Sequence, residues 1–158
     1  MEKLIKLLRQ NARLSNAELA AMLGISENEV AEQIKKLEQS GVIVGYTAII
    51  NDEAAGENTV SALIEVKVMP KAKYGYNDIA EKIAQFTEVE SVRLMSGAFD
   101  LAVTVKCADV VKLGKFVQER IAPLDGVLSA STHFVIGRYK ELGSVIDNNR
   151  DERELVTP

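Results

Sequence analysis

The sequence is poor in the residue types that bind metals or cross-link chains. Its 158 residues include one cysteine, one histidine, three prolines and no tryptophan. A single cysteine, Cys107, excludes an internal disulfide framework and is typical of a reducing compartment, so we expect a cytoplasmic protein. One cysteine and one histidine cannot form a Cys/His zinc site within one chain.

Long apolar segments and catalytic signatures are also lacking. No run approaches the roughly 18 consecutive apolar residues of a membrane-spanning helix, and the N-terminus does not read as a secretory signal. The sequence has no phosphate loop of the type GxxxxGKS/T, no nucleophile–base pair and no cluster of metal ligands. We therefore expect no membrane association, no enzymatic activity and no cofactor. An apolar content of 47% nevertheless provides for a folded core.

Charge is divided unevenly along the chain. Residues 1–50 contain six Lys/Arg and six Asp/Glu, whereas residues 51–158 contain thirteen and seventeen, which gives the net charge of −4. Nucleic-acid-binding domains usually have a basic patch or stripe. The sequence shows no such stripe.

Residues 17–41, AELAAMLGISENEVAEQIKKLEQSG, predict the second and third helices of a helix-turn-helix. The pairs Ser15–Glu18 and Ser26–Glu29 match the capping box that starts a helix. Gly24 suits the turn between the helices, and Gly41 suits the end of the last one. The buried stripe of the third helix recurs at i, i+4 and i+7: Val30, Ile34 and Leu37. This geometry places a helix in the major groove of DNA.

The rest of the chain alternates strand and helix patterns. A β-rich exit strand, VIVGYTAII, follows the helices. Strands near 60–68, 90–96, 100–107 and 127–136 and helices near 76–86 and 109–121 then follow in the order βαββαβ, the ferredoxin-like arrangement. The predicted organisation is a helix-turn-helix domain with its exit strand at 1–50, a linker at 51–58, a βαββαβ domain at 59–142 and a tail at 143–158.

Alternation along the strands predicts which residues face the two helices. On the last strand these are Leu128, Ala130, Thr132, Phe134 and Ile136, and the opposite face carries Val127, Ser129, Ser131, His133 and Val135. The helix near 109–121 should turn Val110, Leu113, Val117 and Ile121 inward. The sheet face without helices mixes small polar and aliphatic groups, so we expect a second sheet to pack there in a dimer.

Three segments resemble the Lrp/AsnC family of feast/famine transcription regulators: NARLSNAELAAMLGIS, IKKLEQSGVIVGYTAIIN and LMSGAFDLAVTV. The resemblance covers about residues 2 to 142. It implies an α+β protein, with a winged-helix-like helix-turn-helix joined by a hinge to a ferredoxin-like effector-binding domain. It also implies homodimers that assemble further, often to octamers, and amino acids bound between dimers near a Gly-x-x-Asp loop. Gly97 and Asp100 match that loop.

The resemblance places the effector site around this loop. Gly97 would let a ligand approach the backbone closely. Asp100 would either accept a hydrogen bond from an α-ammonium group or cap the loop through backbone amides. The remaining effector-binding candidates are Met95, Ser96, Ala98, Phe99, Thr132 and His133. A single histidine on a strand surface is also typical of a solvated or interface residue.

The third helix carries the DNA-binding candidates, which are Asn28, Glu29, Glu32, Gln33, Lys35 and Lys36. Its amides suit adenine edges, its carboxylates can accept from cytosine N4, and its lysines can hold phosphates. The family commonly has arginines in the middle of this helix, where this chain has Val30-Ala31-Glu32-Gln33. The glutamates have a second interpretation as favourable charges near a helix N-terminus.

The sequence therefore predicts a transcription regulator of the Lrp/AsnC type. It would bind double-stranded DNA as a homodimer or a higher oligomer such as an octamer, modulated by a small effector such as an amino acid. The alternative is a ligand-binding or assembly protein of the same family whose helix-turn-helix binds DNA weakly or not at all. Haem-pathway decarboxylases share this architecture, but their Trp- and His-containing strand motif is missing.

Overall fold

The computed structural model describes residues 1–69 and 75–146. Residues 1–48 form one compact unit, and a second unit begins at Ile49. The first unit contains helices α1 (Glu2–Gln10), α2 (Asn16–Leu23) and α3 (Glu27–Gln39). No helix among the described residues is long and apolar enough to cross a membrane.

Both predicted capping boxes are confirmed. The Ser15 hydroxyl accepts from the Glu18 amide at 3.2 Å, and the Ser26 hydroxyl accepts from the Glu29 amide at 3.3 Å. Each glutamate carboxylate in turn accepts from the amide of its serine. The two boxes satisfy N–H groups that a helix start leaves without partners, so helices α2 and α3 begin where the sequence predicts.

The two predicted glycine turns are also confirmed. Gly24 ends α2 with a φ of 69°, in the left-handed region. Gly41 follows α3 with a φ of 71°, and the amides of Gly41 and Val42 donate to the carbonyls of Glu38 and Leu37. This pair of bonds is the Schellman motif. Helix packing then buries Leu4, Leu19, Ala20, Val30 and Leu37 in the core of the first unit.

The predicted exit strand is wrong. The structure assigns no strand between residues 42 and 59, all of which it describes. A strand needs a hydrogen-bonded neighbour, and this segment pairs with no strand among the residues that the structure describes. Tyr46 instead donates its phenolic hydrogen to Glu38 Oε1 at 2.9 Å, which ties the segment back to α3.

The second unit has the predicted βαββαβ order. Its four-stranded antiparallel sheet has the order β2-β3-β1-β4. The elements are β1 (Val60–Val68), α4 (Asn77–Ala84), β2 (Val89–Leu94), β3 (Leu101–Cys107), α5 (Val110–Phe116), a π-helix (Val117–Ile121) and β4 (Val127–Phe134). Alternate residues of β1 and β3 pack against both helices, and Ile64, Val103, Ile79 and Leu113 are fully buried there.

A bulge reverses one part of the predicted face pattern. Lys67 pairs with Ser129 but Val68 pairs with Val127, so Leu128 is the extra residue. Such an insertion breaks the alternation of side chains between the two faces at this end of β4. Val127 therefore packs on the core and Leu128 is 61% exposed, the opposite of the prediction. Ile136 was also predicted to face inward, but it lies beyond the end of β4 and is exposed.

The π-helix changes the buried face after α5. Leu113, Val117 and Ile121 pack on the core as predicted, but Val110 is exposed and the buried Phe116 was missed. Phe116 and Ile121 are five residues apart, and the Ala122 amide donates to the Val117 carbonyl at 2.8 Å. This i→i+5 bond brings both side chains to the same side.

Residues 51–58, predicted as the linker, form turns attached to the second unit. The Ala55 amide donates to the Asn51 carbonyl at 2.9 Å. The Asp52 carboxylate forms ion pairs with Arg138 at 2.6 Å and with Lys106 at 3.2 Å. The predicted tail starts inside a small hairpin, β5 (Lys140–Glu141) and β6 (Ser144–Val145). Residues 147–158 of the tail lie outside the described residues.

Candidate nucleic-acid interface and ligand loop

One face of helix α3 is open to solvent. Asn28, Glu32, Lys35 and Gln39 are exposed and recur at i, i+4, i+7 and i+11, a spacing that places side chains on a single helix face. Lys36 is exposed beside them. The sequence reasoning missed Gln39, although its spacing of eleven residues from Asn28 was the available signal.

Gln33 does not belong to this face and is not fully exposed as predicted, while its role in DNA binding stays a prediction. It is half-buried and lines a small cleft with the start of α1 and with Leu23 and Ile25. The reason is its position three residues after Val30 and four before Leu37, both of which are buried. Its amide is therefore turned toward the core edge.

Glu29 is held by the helix start. Its Oε2 atom accepts from the Ser26 amide at 2.9 Å and from the Ser26 hydroxyl at 2.8 Å. Both bonds lower the pKa of the Glu29 carboxyl, and the bond from the Ser26 amide has the larger effect. The second interpretation of this glutamate, as a charge that stabilises the helix start, therefore has direct structural support.

The charge of α3 is acidic along its length. The helix carries four carboxylates, Glu27, Glu29, Glu32 and Glu38, against Lys35 and Lys36. Two carboxylates have partners within the unit, because Glu29 caps the helix and Glu38 accepts from Tyr46. Of the other two, Glu27 lies in the first turn and Glu32 on the exposed face, together with two lysines and two amides.

The second candidate site is the loop between β2 and β3. Asp100 binds the edge of the neighbouring strand: its Oδ2 atom accepts from the Val68 amide at 2.9 Å. Its own amide donates to the Val66 carbonyl at 3.1 Å, and its carbonyl accepts from the Met95 amide at 2.8 Å. Asp100 therefore accepts from a backbone amide, as its second interpretation expected, but that amide belongs to strand β1 rather than to the loop.

The other loop residues leave space for a ligand. Met95, Ser96, Gly97 and Ala98 are exposed, and Phe99 is half-buried. Gly97 has a φ of 156°, and a Cβ added there would have no atom within 4 Å. The loop thus presents a short, open stretch of backbone flanked by apolar side chains.

Thr132 and His133 are not brought to this loop within one chain. Strand β1 separates β3 from β4, which puts β4 about 10 Å from β3. Thr132 pairs with Ile64 on the helix side, whereas His133 lies on the open face and contacts Glu65 at 3.5 Å. The two residues therefore point to opposite sides of the sheet.

Comparison with known proteins agrees with this two-part layout. The family model for the Lrp/AsnC ligand binding domain matches residues 61–145, and a model for winged helix-turn-helix DNA-binding matches residues 2–44. The uncharacterized HTH-type transcriptional regulator YugG of Bacillus subtilis is 39% identical over 155 residues, covering 98% of this chain and 93% of that protein.

Two further relatives match most of the chain. The HTH-type transcriptional regulator FL11 of Pyrococcus horikoshii is 33% identical over 141 residues, covering 89% of each chain. The crystal structure of the transcriptional regulator NMB0573 of Neisseria meningitidis, a complex with L-Met, superposes with a TM-score of 0.70 at 26% identity. It covers 93% of this chain and 94% of that one.

Proposed function

The chain belongs to the Lrp/AsnC family of transcription regulators, and we propose that an amino acid controls its binding to DNA through the loop at residues 95–100. Its N-terminal unit is a helix-turn-helix DNA-binding domain, and its second unit is a ligand-binding domain. The observation that carries the proposal is the open loop whose one carboxylate, Asp100, is held in place by strand β1.

The proposed DNA contacts come from the open face of α3. Asn28 and Gln39 offer amides to base edges, Glu32 accepts from cytosine N4, and Lys35 and Lys36 hold phosphates. Few cations give a shallow salt dependence and weak non-specific binding. Avidity across an oligomer then supplies the affinity that one helix lacks.

The proposed effector is an amino acid with an apolar side chain. Asp100 uses Oδ2 on strand β1 and offers Oδ1 to an α-ammonium group. Met95, Ala98 and Phe99 line the loop with apolar surface, and the relative from Neisseria meningitidis is a complex with L-Met. A second copy of the chain would supply the rest of the pocket, with Thr132 and His133 as its candidates.

Self-association is part of the proposal. The open sheet face carries Leu63, Glu65, Ser131 and His133, a mixed surface of the kind that packs against its own copy in a homodimer or a larger assembly such as an octamer. We further propose a cytoplasmic protein without enzymatic activity or cofactor. The acidic charge of α3 favours the second candidate, an effector-binding assembly protein with little affinity for DNA.

One experiment separates the two functions. A labelled duplex from the region upstream of the gene is titrated with the full chain, with and without L-methionine and other amino acids, while light scattering follows oligomer size. The proposal predicts DNA binding at low salt that an apolar amino acid changes. A shift in oligomer size without DNA binding would support the assembly protein instead.

A further inference from the structure

The second unit contains a cleft of about 380 Å³ far from the 95–100 loop. Its walls come from the segment before β2, the end of β3, helix α5 and the π-helix, with Cys107 and Phe116 at its base. Strand β3 runs from the loop to this cleft, so the two lie about 20 Å apart. The volume is within the range of small-molecule sites.

Basic side chains gather in this cleft although the chain is acidic. It is lined by Lys106, Lys112, Lys115 and Arg120 against Glu88 and Glu119. Lys106 is already paired, with Asp52 at 3.2 Å and Glu57 at 3.4 Å. The remaining three cations are in none of the ion pairs that join the described residues. They face the carboxylates of Glu88 and Glu119, and the charge of Asp109 also acts on Cys107 beside them, so the cleft would attract an anion through the placement of its three cations rather than through net charge.

Arg120 is fixed in position before any ligand arrives. Its guanidinium lies 4.7 Å from the centre of the Phe86 ring, and Phe86 meets Phe116 edge-on at 5.6 Å. The π-helix adds one residue to the turn that carries Arg120, and π-helical turns occur frequently at functional sites. A stacked guanidinium loses little conformational freedom when it binds a carboxylate or phosphate.

Cys107 lies at the base of the cleft as a buried thiol. It is 8% exposed, and burial, then the charges of Glu88 and Asp109, raise the pKa of its thiol. The thiol therefore stays protonated near neutral pH. Because it is the sole cysteine of the chain, it reports on occupancy of the cleft without competition from another thiol.

We infer that this cleft is a second small-molecule site, separate from the amino-acid loop, which binds a small oxyanion through Arg120, Lys112 and Lys115. The shared chemistry is that of a phosphate group or a dicarboxylate. Both match the planar fork of a guanidinium with lysine ammonium groups beside it. The inference is independent of DNA binding, because it rests on the second unit alone.

Calorimetry on the full chain tests the site with two probes, inorganic phosphate and succinate, each against sodium chloride at equal ionic strength. We expect one of them to bind saturably, one per chain, and to slow the reaction of Cys107 with a thiol reagent. The probe that binds identifies the anion class. If neither phosphate nor succinate binds more tightly than chloride, the inference is overturned.

Variants assign the binding to the cleft. The double variant Lys115→Gln, Arg120→Gln should lower the affinity for the anion by about tenfold or more, as expected when charge-assisted bonds are lost. The affinity of Arg120→Lys should lie between those of wild type and the double variant, because lysine keeps the positive charge but lacks the planar guanidinium. Lys82→Gln with Lys140→Gln changes charge equally outside the cleft and should have no effect. Equal weakening by both double variants would mean general screening and would contradict the site.

Discussion

The carboxylate of Asp100 accepts a hydrogen bond of 2.9 Å from the amide of Val68, 32 residues earlier in the chain. Val68 lies at the bulge where β1 changes register against β4. One residue thus fixes the loop between β2 and β3 to the irregular end of β1. In the proposed function the same carboxylate also receives the amino group of the effector.

Asp100→Asn separates the two roles of this residue. Asparagine keeps a carbonyl oxygen for the Val68 amide but loses the negative charge. We expect stability close to wild type and a loss of about tenfold or more in affinity for an amino acid, because a charge-assisted bond becomes neutral. Calorimetry and urea unfolding measure the two quantities. An asparagine variant with unchanged affinity would limit Asp100 to its structural role, and Asp100→Ala should lose both.

The capping box of α3 makes stability depend on pH. The pKa of Glu29 is lowered in the folded chain from the ordinary 4.5. A lowered pKa contributes stability that is present above pH 4.5 and is lost as the pH falls through the folded pKa. Ser26→Ala should cost about 1 kcal/mol at neutral pH and should flatten the pH dependence in this acid range. Urea midpoints across that range test it, with Ser40→Ala as the control for pH dependence, because the Ser40 hydroxyl donates to the Leu37 carbonyl and to no carboxylate.

Asp52 should matter more than an ordinary surface carboxylate. It joins Arg138 at 2.6 Å and Lys106 at 3.2 Å, and its side chain is only 15% exposed. Asp52→Asn leaves two cations with weaker partners, so we expect a loss of about 1–2 kcal/mol after allowing for solvent screening. Lys82→Gln removes the exposed pair with Asp78 and should cost about 0.5 kcal/mol or less. Equal losses from the two variants would contradict this network.

Two glycines should respond differently to alanine. A Cβ at Gly126 would lie 2.7 Å from Ile79 Cδ1, in the core, with a φ of 97°. A Cβ at Gly97 would meet nothing within 4 Å. We expect Gly126→Ala to destabilise by about 2–3 kcal/mol, from strain and overpacking, and Gly97→Ala by less, because its φ of 156° brings strain without a clash. Thermal unfolding measures both, and a reversed order would contradict the packing described for Gly126.

Local signals in the sequence predicted most of the helical unit. Ser26 with Glu29, and Gly24 with its positive φ, act within a few residues, so their consequences are visible in the sequence. Leu128 was placed on the wrong face because the bulge depends on pairing with Lys67, distant in sequence. The inward position of Phe116 was missed for a similar reason, because the π-helix that follows it has no characteristic sequence pattern.

The sites were predicted less completely than the fold. The partner of Asp100 is a backbone amide 32 residues away, which no spacing indicates. Gln33 could have been recognised as an edge residue from its distance to Val30 and Leu37. Thr132 and His133 were grouped with the loop through resemblance, and strand pairing places them apart in one chain. The basic cleft gathers residues from four segments and has no sequence signature.

In the proposed function the acidic helix α3 binds DNA through its two exposed lysines, and the salt dependence of binding measures the phosphate contacts that these lysines make. The slope of log K against log salt is measured for wild type, for Lys35→Gln with Lys36→Gln, and for the control Lys82→Gln with Lys140→Gln. Loss of two phosphate contacts per chain should reduce the slope by about 2 for each bound chain, while the control keeps the wild-type slope. A wild-type chain that fails to bind at low salt, or a lysine variant with an unchanged slope, would show that α3 does not hold DNA through Lys35 and Lys36.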